Sequence, residues 1–214
     1  MVNGNEIYYL LGIASIPLIS LTLYLWVSYT VLGVRLSRDS ISDTIMLGIG
    51  GVGFVAIIKI FLSYVYAMDW IIVAVALSPI IEELIRDLLI YYVVRTTKNI
   101  RTAGFLSISV GGGFAAAEST AYSIYFTWRD GLLSGIIVAL MRIPLILIGH
   151  SLFSLIFGIL LIKKKPYIGF IAGLTLHILW NLTVINTTLY HVILLGTAYT
   201  IIWLLIMREI ITTK

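Results

Sequence analysis

Long apolar stretches separated by short polar segments run along the whole chain. Stretches of about the length that a helix needs to cross a bilayer, roughly 20 residues, occupy residues 7–34, 45–67, 70–94, 103–126, 132–162, 167–189 and 192–207. The fifth stretch is the longest, but it contains no polar turn, and Pro144 within it predicts a kink rather than two crossings. The pattern therefore predicts an all-α membrane bundle of about seven transmembrane helices.

The basic residues are divided very unevenly between the two ends of these stretches. If the N-terminus lies outside and the C-terminus inside, Arg129 is the one basic residue in a predicted outer segment. The predicted inner segments hold Arg35, Arg38, Arg95, Lys98, Arg101, Lys163, Lys164, Lys165, Arg208 and Lys214. This asymmetry follows the positive-inside rule and predicts that orientation. The net charge of +4 then indicates contact with an anionic inner leaflet and no binding of nucleic acid.

Composition narrows the class of protein further. Hydrophobic residues make up 60% of the chain and charged residues only 11%, against about 25% charged residues in soluble domains. We therefore expect one transmembrane domain over residues 1–214, in an integral, multi-pass membrane protein whose N-terminal stretch is a span and not a cleaved signal. The chain has no cysteine, which excludes disulfides, cysteine nucleophiles and thiolate metal sites.

Several ionisable residues nevertheless lie inside the predicted spans. A charge at the bilayer centre costs at least about 2.5–3.5 kcal/mol, so such residues usually face the bundle interior and mark a functional site. At about 1.5 Å per residue, five of them fall at compatible depths on four spans: Glu82, Glu83, Glu118, His150 and His177. A structural network of buried ion pairs is the alternative interpretation.

The remaining buried charges have simpler interpretations. Lys59 is predicted to extend its ammonium to the outer surface, Asp87 to pair locally, and Arg142 to be structural. Glu118 is either a site residue or a packing partner of Arg86 or Arg142.

Helical spacing suggests how the charges are arranged. Residues three or four apart share a helix face, so Arg86 adjoins Glu82 and Glu83, whereas these two glutamates point about 100° apart. We expect Arg86 to neutralise one carboxylate while the other faces a cavity, where it can act as a base. Asn181 follows His177 by one turn, so both side chains could bind one oxygen.

These motifs occur together in a recognisable order. The chain has Glu82-Glu83 followed by a basic residue, Gly113-Phe114-Ala115 leading to Glu118, His150 with Ser154 and Gly158 at four-residue spacing, and His177 with Asn181. In this it resembles the PrsW-like intramembrane proteases, a branch of the wider CAAX-protease and bacteriocin-processing superfamily. The resemblance covers about residues 79–181, with Arg86 in place of the usual lysine.

The resemblance implies an endopeptidase of the glutamate type in a prokaryotic cell membrane, which cleaves membrane-bound protein substrates that have a transmembrane segment. Water would be activated by Glu82 or Glu83, with His150 and Glu118 orienting it or protonating the leaving amine, and His177 with Asn181 stabilising the oxyanion. The orienting residues would be Asn181, Arg86 and Ser154. No cofactor is expected. The alternative is zinc, bound by Glu83, Glu118, His150 and His177.

Two other classes of function compete with a protease. Ionisable residues at mid-membrane depth also build proton-coupled transporters, and the same cavity could serve a non-catalytic membrane scaffold. The chain contains no HExxH, GxSG or GxGD motif, which argues against the zinc, serine and aspartyl intramembrane proteases that carry them.

Overall fold

The computed structural model describes residues 4–66, 76–186 and 189–212. These residues form helices joined by short connections and contain no strand, so the predicted all-α class is confirmed. The helices are α1 (Gly4–Leu32), α2 (Arg38–Tyr66), α3 (Ser78–Val94), α4 (Ile100–Asp130), α5 (Leu132–Met141), α6 (His150–Ile162), α7 (Pro166–Asn186) and α8 (Leu189–Thr212).

The helices coincide with the predicted spans, apart from two differences. The start of the third predicted span, at residues 70–75, lies outside the described residues. The fifth predicted span is divided into α5 and α6 by a π-helical turn, Leu145–Gly149. Because Pro144 has no amide hydrogen, the regular α-helical bonding cannot continue through it, and the interruption lies where the proline predicted a kink.

Within the described residues, three helices are long and apolar enough to cross a membrane. The qualifying segments are Tyr8–Leu32, Arg38–Leu62 and Ile193–Thr212, in α1, α2 and α8. The chain is therefore an integral membrane protein by length and composition, while the count of seven crossings and the orientation stay predictions.

Local signals set the boundaries of the central helix, α4. At its start, Asn99 Oδ1 accepts hydrogen bonds from the amides of Arg101 (2.9 Å) and Thr102 (3.1 Å), which satisfies two donors of the first turn. At its end, Gly131 adopts a φ of 93°, a conformation that L side chains rarely tolerate, and the chain enters α5.

Helix α4 lies at the centre of the bundle. It contacts α1, α2, α3, α5, α6 and α8, and every residue from 103 to 116 is buried. Small side chains make this close packing feasible. A Cβ atom on Gly113 would overlap the backbone of Ile45 on α2, and one on Gly48 of α2 would overlap the backbone of Val110 on α4. At Gly113 the helix that approaches α4 closely is α2.

Substitution of Gly48 by leucine should destabilise the fold. The new side chain would force α2 away from α4, and overpacking of this kind costs about 1–3 kcal/mol or more. Gly50 on the same helix is the matched control, because a Cβ there has nothing within 4 Å. We expect thermal unfolding in detergent to show a clear loss of stability for Gly48→Leu and almost none for Gly50→Leu. Equal losses would contradict the close α2–α4 contact.

Candidate active site

The five predicted catalytic residues lie together in the bundle interior. Glu82 and Glu83 are on α3, Glu118 is on α4, His150 begins α6, and His177 is on α7. The first two and both histidines expose 3% of their surface or less, and Glu118 is partly exposed. The prediction that these side chains from four helices meet is confirmed, while their catalytic roles stay predictions.

Arg86 and Glu83 together connect α3 with α6 and α7. Its NH2 group donates to Glu83 Oε2, one turn earlier on α3, and its NH1 group donates to His150 Nδ1 at 2.7 Å. The other oxygen of Glu83, Oε1, lies 2.7 Å from His177 Nδ1. As predicted, Arg86 neutralises one of the two carboxylates, that of Glu83. The two NH2 groups of its planar guanidinium bind Glu83 and His150, and a lysine ammonium could not bind both with the same geometry. Asp87 pairs locally, with Oδ1 at 3.9 Å from Arg86 NH2.

These contacts assign the proton positions on both imidazoles. Arginine only donates, so Nδ1 of His150 accepts, and neutral His150 carries its proton on Nε2, which lies 3.2 Å from Glu118 Oε2. Carboxylates only accept, so His177 donates from Nδ1 to Glu83. In the neutral imidazole Nε2 then carries a lone pair, and it faces Glu82 Oε2 at 3.4 Å.

Glu82 is the glutamate of the pair that lines a pocket. Its Oε1 accepts a hydrogen bond from Ser78 Oγ at 2.6 Å and forms an ion pair with Lys59. Its Oε2 has no hydrogen-bond partner among the described residues. The pocket, of about 180 Å³, is lined by Val52, Val55, Ala56, Lys59, Glu82, Phe114, Glu118, Ala121 and Tyr122. As expected, one glutamate is neutralised by Arg86 and the other faces a cavity.

The position of Lys59 corrects a prediction. Its ammonium does not extend to the outer surface but pairs with Glu82. A signal in the sequence could have shown this, because Gly48, Val52, Val55 and Lys59 follow at intervals of four, three and four residues and so share one face of α2. Gly48 is the residue at which α2 packs on α4, so this face is turned towards the bundle interior.

Glu118 is held by a second arginine. Arg142 NH2 donates to Glu118 Oε2 at 2.6 Å, and Arg142 Nε donates to Ser119 Oγ at 3.2 Å. The guanidinium also lies over the ring of Tyr122, 4.3 Å from its centroid. Glu118 is therefore both a pocket residue and a packing partner of Arg142, which combines the two interpretations left open by the sequence.

Of the three predicted orienting residues, Arg86 contacts Glu83 and His150 in the site. Ser154 lies on α6 and Asn181 on α7. Ser154 is buried and its Oγ has no hydrogen-bond partner in the described part of the chain; it packs where a Cβ on Gly111 would be. Asn181 is half-buried, one turn after His177 on α7. No contact among the described residues supports an orienting role for Ser154, and that of Asn181 stays a prediction.

Aromatic rings surround the two imidazoles. The Phe153 ring stacks on His177 at a centroid distance of 5.6 Å and lies edge-on to His150 at 6.0 Å. The Phe114 ring is 5.5 Å from His150. Such apolar surroundings lower the local dielectric constant and strengthen every hydrogen bond and ion pair in the site.

Comparison with protein families shows to which family the chain belongs. Residues 40–208 match the model described as PrsW family intramembrane metalloprotease. The chain belongs to this family. Comparison with curated proteins and with solved structures gave no match. This PrsW family member is therefore a peptide hydrolase of the membrane, and the match includes α2 with Lys59, well beyond the motifs at residues 79–181.

The description of the family implies a metal ion, and the interior of the bundle contains donor atoms of the kinds that zinc requires. Ligand atoms of Glu82, His150 and His177 lie within 4.8 Å of one another, and two imidazoles with a carboxylate form a common zinc donor set. His177 could bind a metal ion without rearrangement, because its Nδ1 donates to Glu83 and its Nε2 remains available as a ligand. His150 would have to give up its bond with Arg86 or its Nε2 proton.

The residues thus fit zinc by type, but not as the sequence predicted. In the alternative ligand set, Glu83 and Glu118 were the carboxylates. In the structure Glu83 is engaged by Arg86 and His177, and the carboxylate of the close group is Glu82. The identity of the carboxylate depends on which side of α3 meets the histidines, and spacing along the chain does not determine that.

Removal of the Arg86 charge should destabilise the protein strongly. Arg86→Met leaves Glu83 buried without its cation, a change that typically costs about 3–5 kcal/mol. Arg38→Met removes one positive charge from an exposed position and should change stability by less than about 0.5 kcal/mol. The measurement is thermal unfolding of both variants in detergent, and similar small changes in the two would show that the Arg86 pair is not structural.

Proposed function

We propose that the protein is an intramembrane peptidase of the glutamate type, with Glu82 as the general base. The observation that carries this proposal is the difference between the two glutamates. Glu82 lines the pocket and its Oε2 has no hydrogen-bond partner among the described residues, whereas both oxygens of Glu83 are engaged by Arg86 and His177. A general base needs a free oxygen within reach of the attacking water.

The proposed chemistry is hydrolysis of a peptide bond. Water gives a proton to Glu82 Oε2 as its oxygen attacks the scissile carbonyl carbon. The tetrahedral intermediate then collapses with rupture of the carbon–nitrogen bond, and the proton passes to the leaving nitrogen through His177 Nε2, 3.4 Å from Glu82 Oε2. The products are a carboxylic acid and an amine.

The other residues hold this pair in place. Glu83 and Arg86 fix the tautomer and orientation of His177, and His150 links Arg86 to Glu118. Since Nε2 of His177 carries a lone pair, we assign this residue to proton transfer instead of the oxyanion role predicted from the sequence. Asn181 remains our proposed oxyanion donor, and Glu118 our proposed group for orienting the water in the pocket.

A metal-dependent form of the same protease is the second candidate. It is favoured by the family description and by the proximity of Glu82, His150 and His177. A zinc ion bound by these residues would supply Lewis acidity at the scissile carbonyl.

Charge balance favours the metal-free form. The three glutamates are each paired with a cation of their own, namely Lys59, Arg86 and Arg142. A divalent ion would add two further positive charges in an apolar interior, where uncompensated charge is costly.

We also propose the wider setting of the reaction. The substrates are membrane proteins with a transmembrane segment, because the site is buried between helices of a membrane bundle. The chain forms one domain of seven crossings in a prokaryotic cell membrane, with the N-terminus outside and the C-terminus inside, as the distribution of lysine and arginine supports.

Cleavage of a library of single-span membrane proteins by the purified protein would test this function. We expect Glu82→Gln to lower the rate by about 10²–10⁴-fold, the usual effect of losing a general base. Glu83→Gln and His177→Ala should also lower it strongly. Asp130→Asn is the matched control, since Asp130 is exposed and pairs with Arg129, and its rate should equal that of the wild type.

The same assay with a strong zinc chelator separates the two candidates. Activity that survives the chelator supports the glutamate type, and activity that is lost and then restored by zinc supports the metal-dependent form. If Glu82→Gln cleaves as fast as the wild type, Glu82 is not the base, and the proposal is wrong.

A further inference from the structure

The pocket beside Glu82 lies between α2 and α4 and opens to the surface of the bundle. Val55, Phe114 and Glu82 form buried parts of its wall. Ala56 on α2 and Ala121 on α4 line the same pocket, but both residues are exposed. Lining residues that are also exposed mark the place where a pocket opens. The opening therefore lies between these two alanines.

The packing of α2 on α4 produces this opening. The two helices run parallel, since residue numbers rise together along their contacts. Gly48 packs on the backbone of Val110, and Gly51 lies against the ring of Phe114. Beyond Phe114 the space between the two helices is the pocket. A close contact at one end of the helix pair and a gap further along thus give the pocket an opening to the side.

The opening lies well inside the bundle along the direction of the helices. Ala56 comes ten residues before Tyr66, where α2 ends, and Ala121 comes nine residues before Asp130, where α4 ends. At about 1.5 Å per residue these distances are about 15 Å and about 14 Å. The hydrocarbon core of a bilayer is about 30 Å thick. The opening therefore faces the lipid at about the middle of the membrane.

The exposed residues next to the opening on α2 are mostly large and apolar. Phe54, Ile57 and Ile60 expose between 66% and 69% of their surface, as expected of side chains that contact lipid. Position 56, between them, is an alanine. Its methyl group leaves the way into the pocket open, whereas a larger side chain at this position would narrow it.

The volume of the pocket limits what can enter. It measures about 180 Å³, which corresponds to about six water molecules at about 30 Å³ each. A single turn of a helix that is 10 Å across occupies roughly 400 Å³. A helical segment therefore does not fit. Once the attacking water is in place, an unwound segment can bring in one residue with a small side chain.

The part of the lining that an entering side chain meets is apolar. Lys59 is paired with Glu82, and Glu118 is paired with Arg142. The remaining wall consists mainly of carbon atoms from Val52, Val55, Ala56, Phe114 and Ala121. A charged side chain would lose its hydration here without gaining a partner, which is costly. Small apolar side chains meet no such penalty.

We propose that the substrate enters from the lipid between α2 and α4, and that Val52, Ala56 and Ala121 select a small apolar residue beside the scissile bond. This inference rests on the proposed function, because it takes the pocket of Glu82 as the place of cleavage. It narrows the substrate class to membrane segments with a residue such as alanine or glycine at the cleaved bond. The three residues determine specificity and take no part in the chemistry.

The preference of the wild-type protein for residue size is the first measurement. Mass spectrometry locates the bond that is cleaved in a single-span membrane protein. Alanine and leucine are then compared at each of the two residues that flank this bond, with kcat/KM as the readout. We expect alanine to be preferred at one of these positions by about tenfold or more, a usual effect of extra methylene groups in a close-fitting pocket.

Variants of the lining should shift this preference in opposite directions. Val52→Ala widens the pocket and should lower the alanine preference about tenfold, whereas Ala56→Leu and Ala121→Leu narrow the opening and should raise it by about tenfold. Ala198→Leu is the matched control, since Ala198 is exposed on α8 outside the pocket, and it should leave the preference unchanged. Loss of stability cannot produce shifts of opposite sign. Equal preferences in all variants would overturn the inference. Ala56→Val replaces Ala56→Leu if the leucine variant does not fold.

Photocrosslinking tests the opening without any need for cleavage. A benzophenone amino acid replaces Ala56, Ala121 or, as the control, Ala198 in the Glu82→Gln protein, and each protein is illuminated with the single-span substrate in liposomes. We expect crosslinks to the substrate from positions 56 and 121 and almost none from position 198. Crosslinks from 56 and 121 that do not exceed those from 198 would show that the substrate does not enter there.

The results separate failure of this inference from failure of the proposed function. If Glu82→Gln abolishes cleavage but the lining variants do not shift the preference, the inference alone is wrong. If cleavage survives Glu82→Gln, the proposed role of Glu82 is wrong, and the crosslinks and the size preference still decide whether the substrate enters between α2 and α4.

Discussion

Burial of the Arg86 guanidinium is the constraint on which the rest of the site depends. Its side chain is fully buried, and a charge in an apolar interior must be paired and hydrogen-bonded to be tolerated. Arg86 meets this requirement through Glu83 on its own helix and His150 on α6, and Glu83 in turn binds His177 on α7. One cation thus sets the orientation of a carboxylate and the tautomers of two imidazoles.

The pairing of Arg86 also separates the roles of two glutamates that are adjacent in the chain. Consecutive residues on a helix point about 100° apart, so Glu83 faces the histidines and Arg86 while Glu82 lies in the wall of the pocket. Both oxygens of Glu83 are engaged. Glu82 has a second cation, Lys59, on one oxygen only. The two glutamates therefore differ in chemistry. Glu83 holds Arg86 and His177 in place, whereas Glu82 has one oxygen, Oε2, without a hydrogen-bond partner among the described residues and close to Nε2 of His177.

The same arrangement bears on the metal implied by the family description. Glu82, His150 and His177 offer the right donor types at close range, yet the three glutamates are already compensated by Lys59, Arg86 and Arg142. Metal binding and the present hydrogen bonds compete for Glu82 and for His150. The balance between them depends on the charge of the whole pocket and not on the presence of suitable ligand atoms alone.

The sequence by itself determined the helical class, most helix boundaries, the break at Pro144 and the set of ionisable residues that meet in the interior. These follow from local patterns, because apolar length, proline and the cost of isolated charges in lipid act along a single helix. Only the tertiary structure decided that Arg86 pairs with Glu83, that Glu82 lines the pocket, and that Lys59 pairs with Glu82 in the bundle interior. Those outcomes depend on the register between helices, which close contacts such as that of Gly48 with Val110 set, and spacing within one helix carries no information about its neighbour.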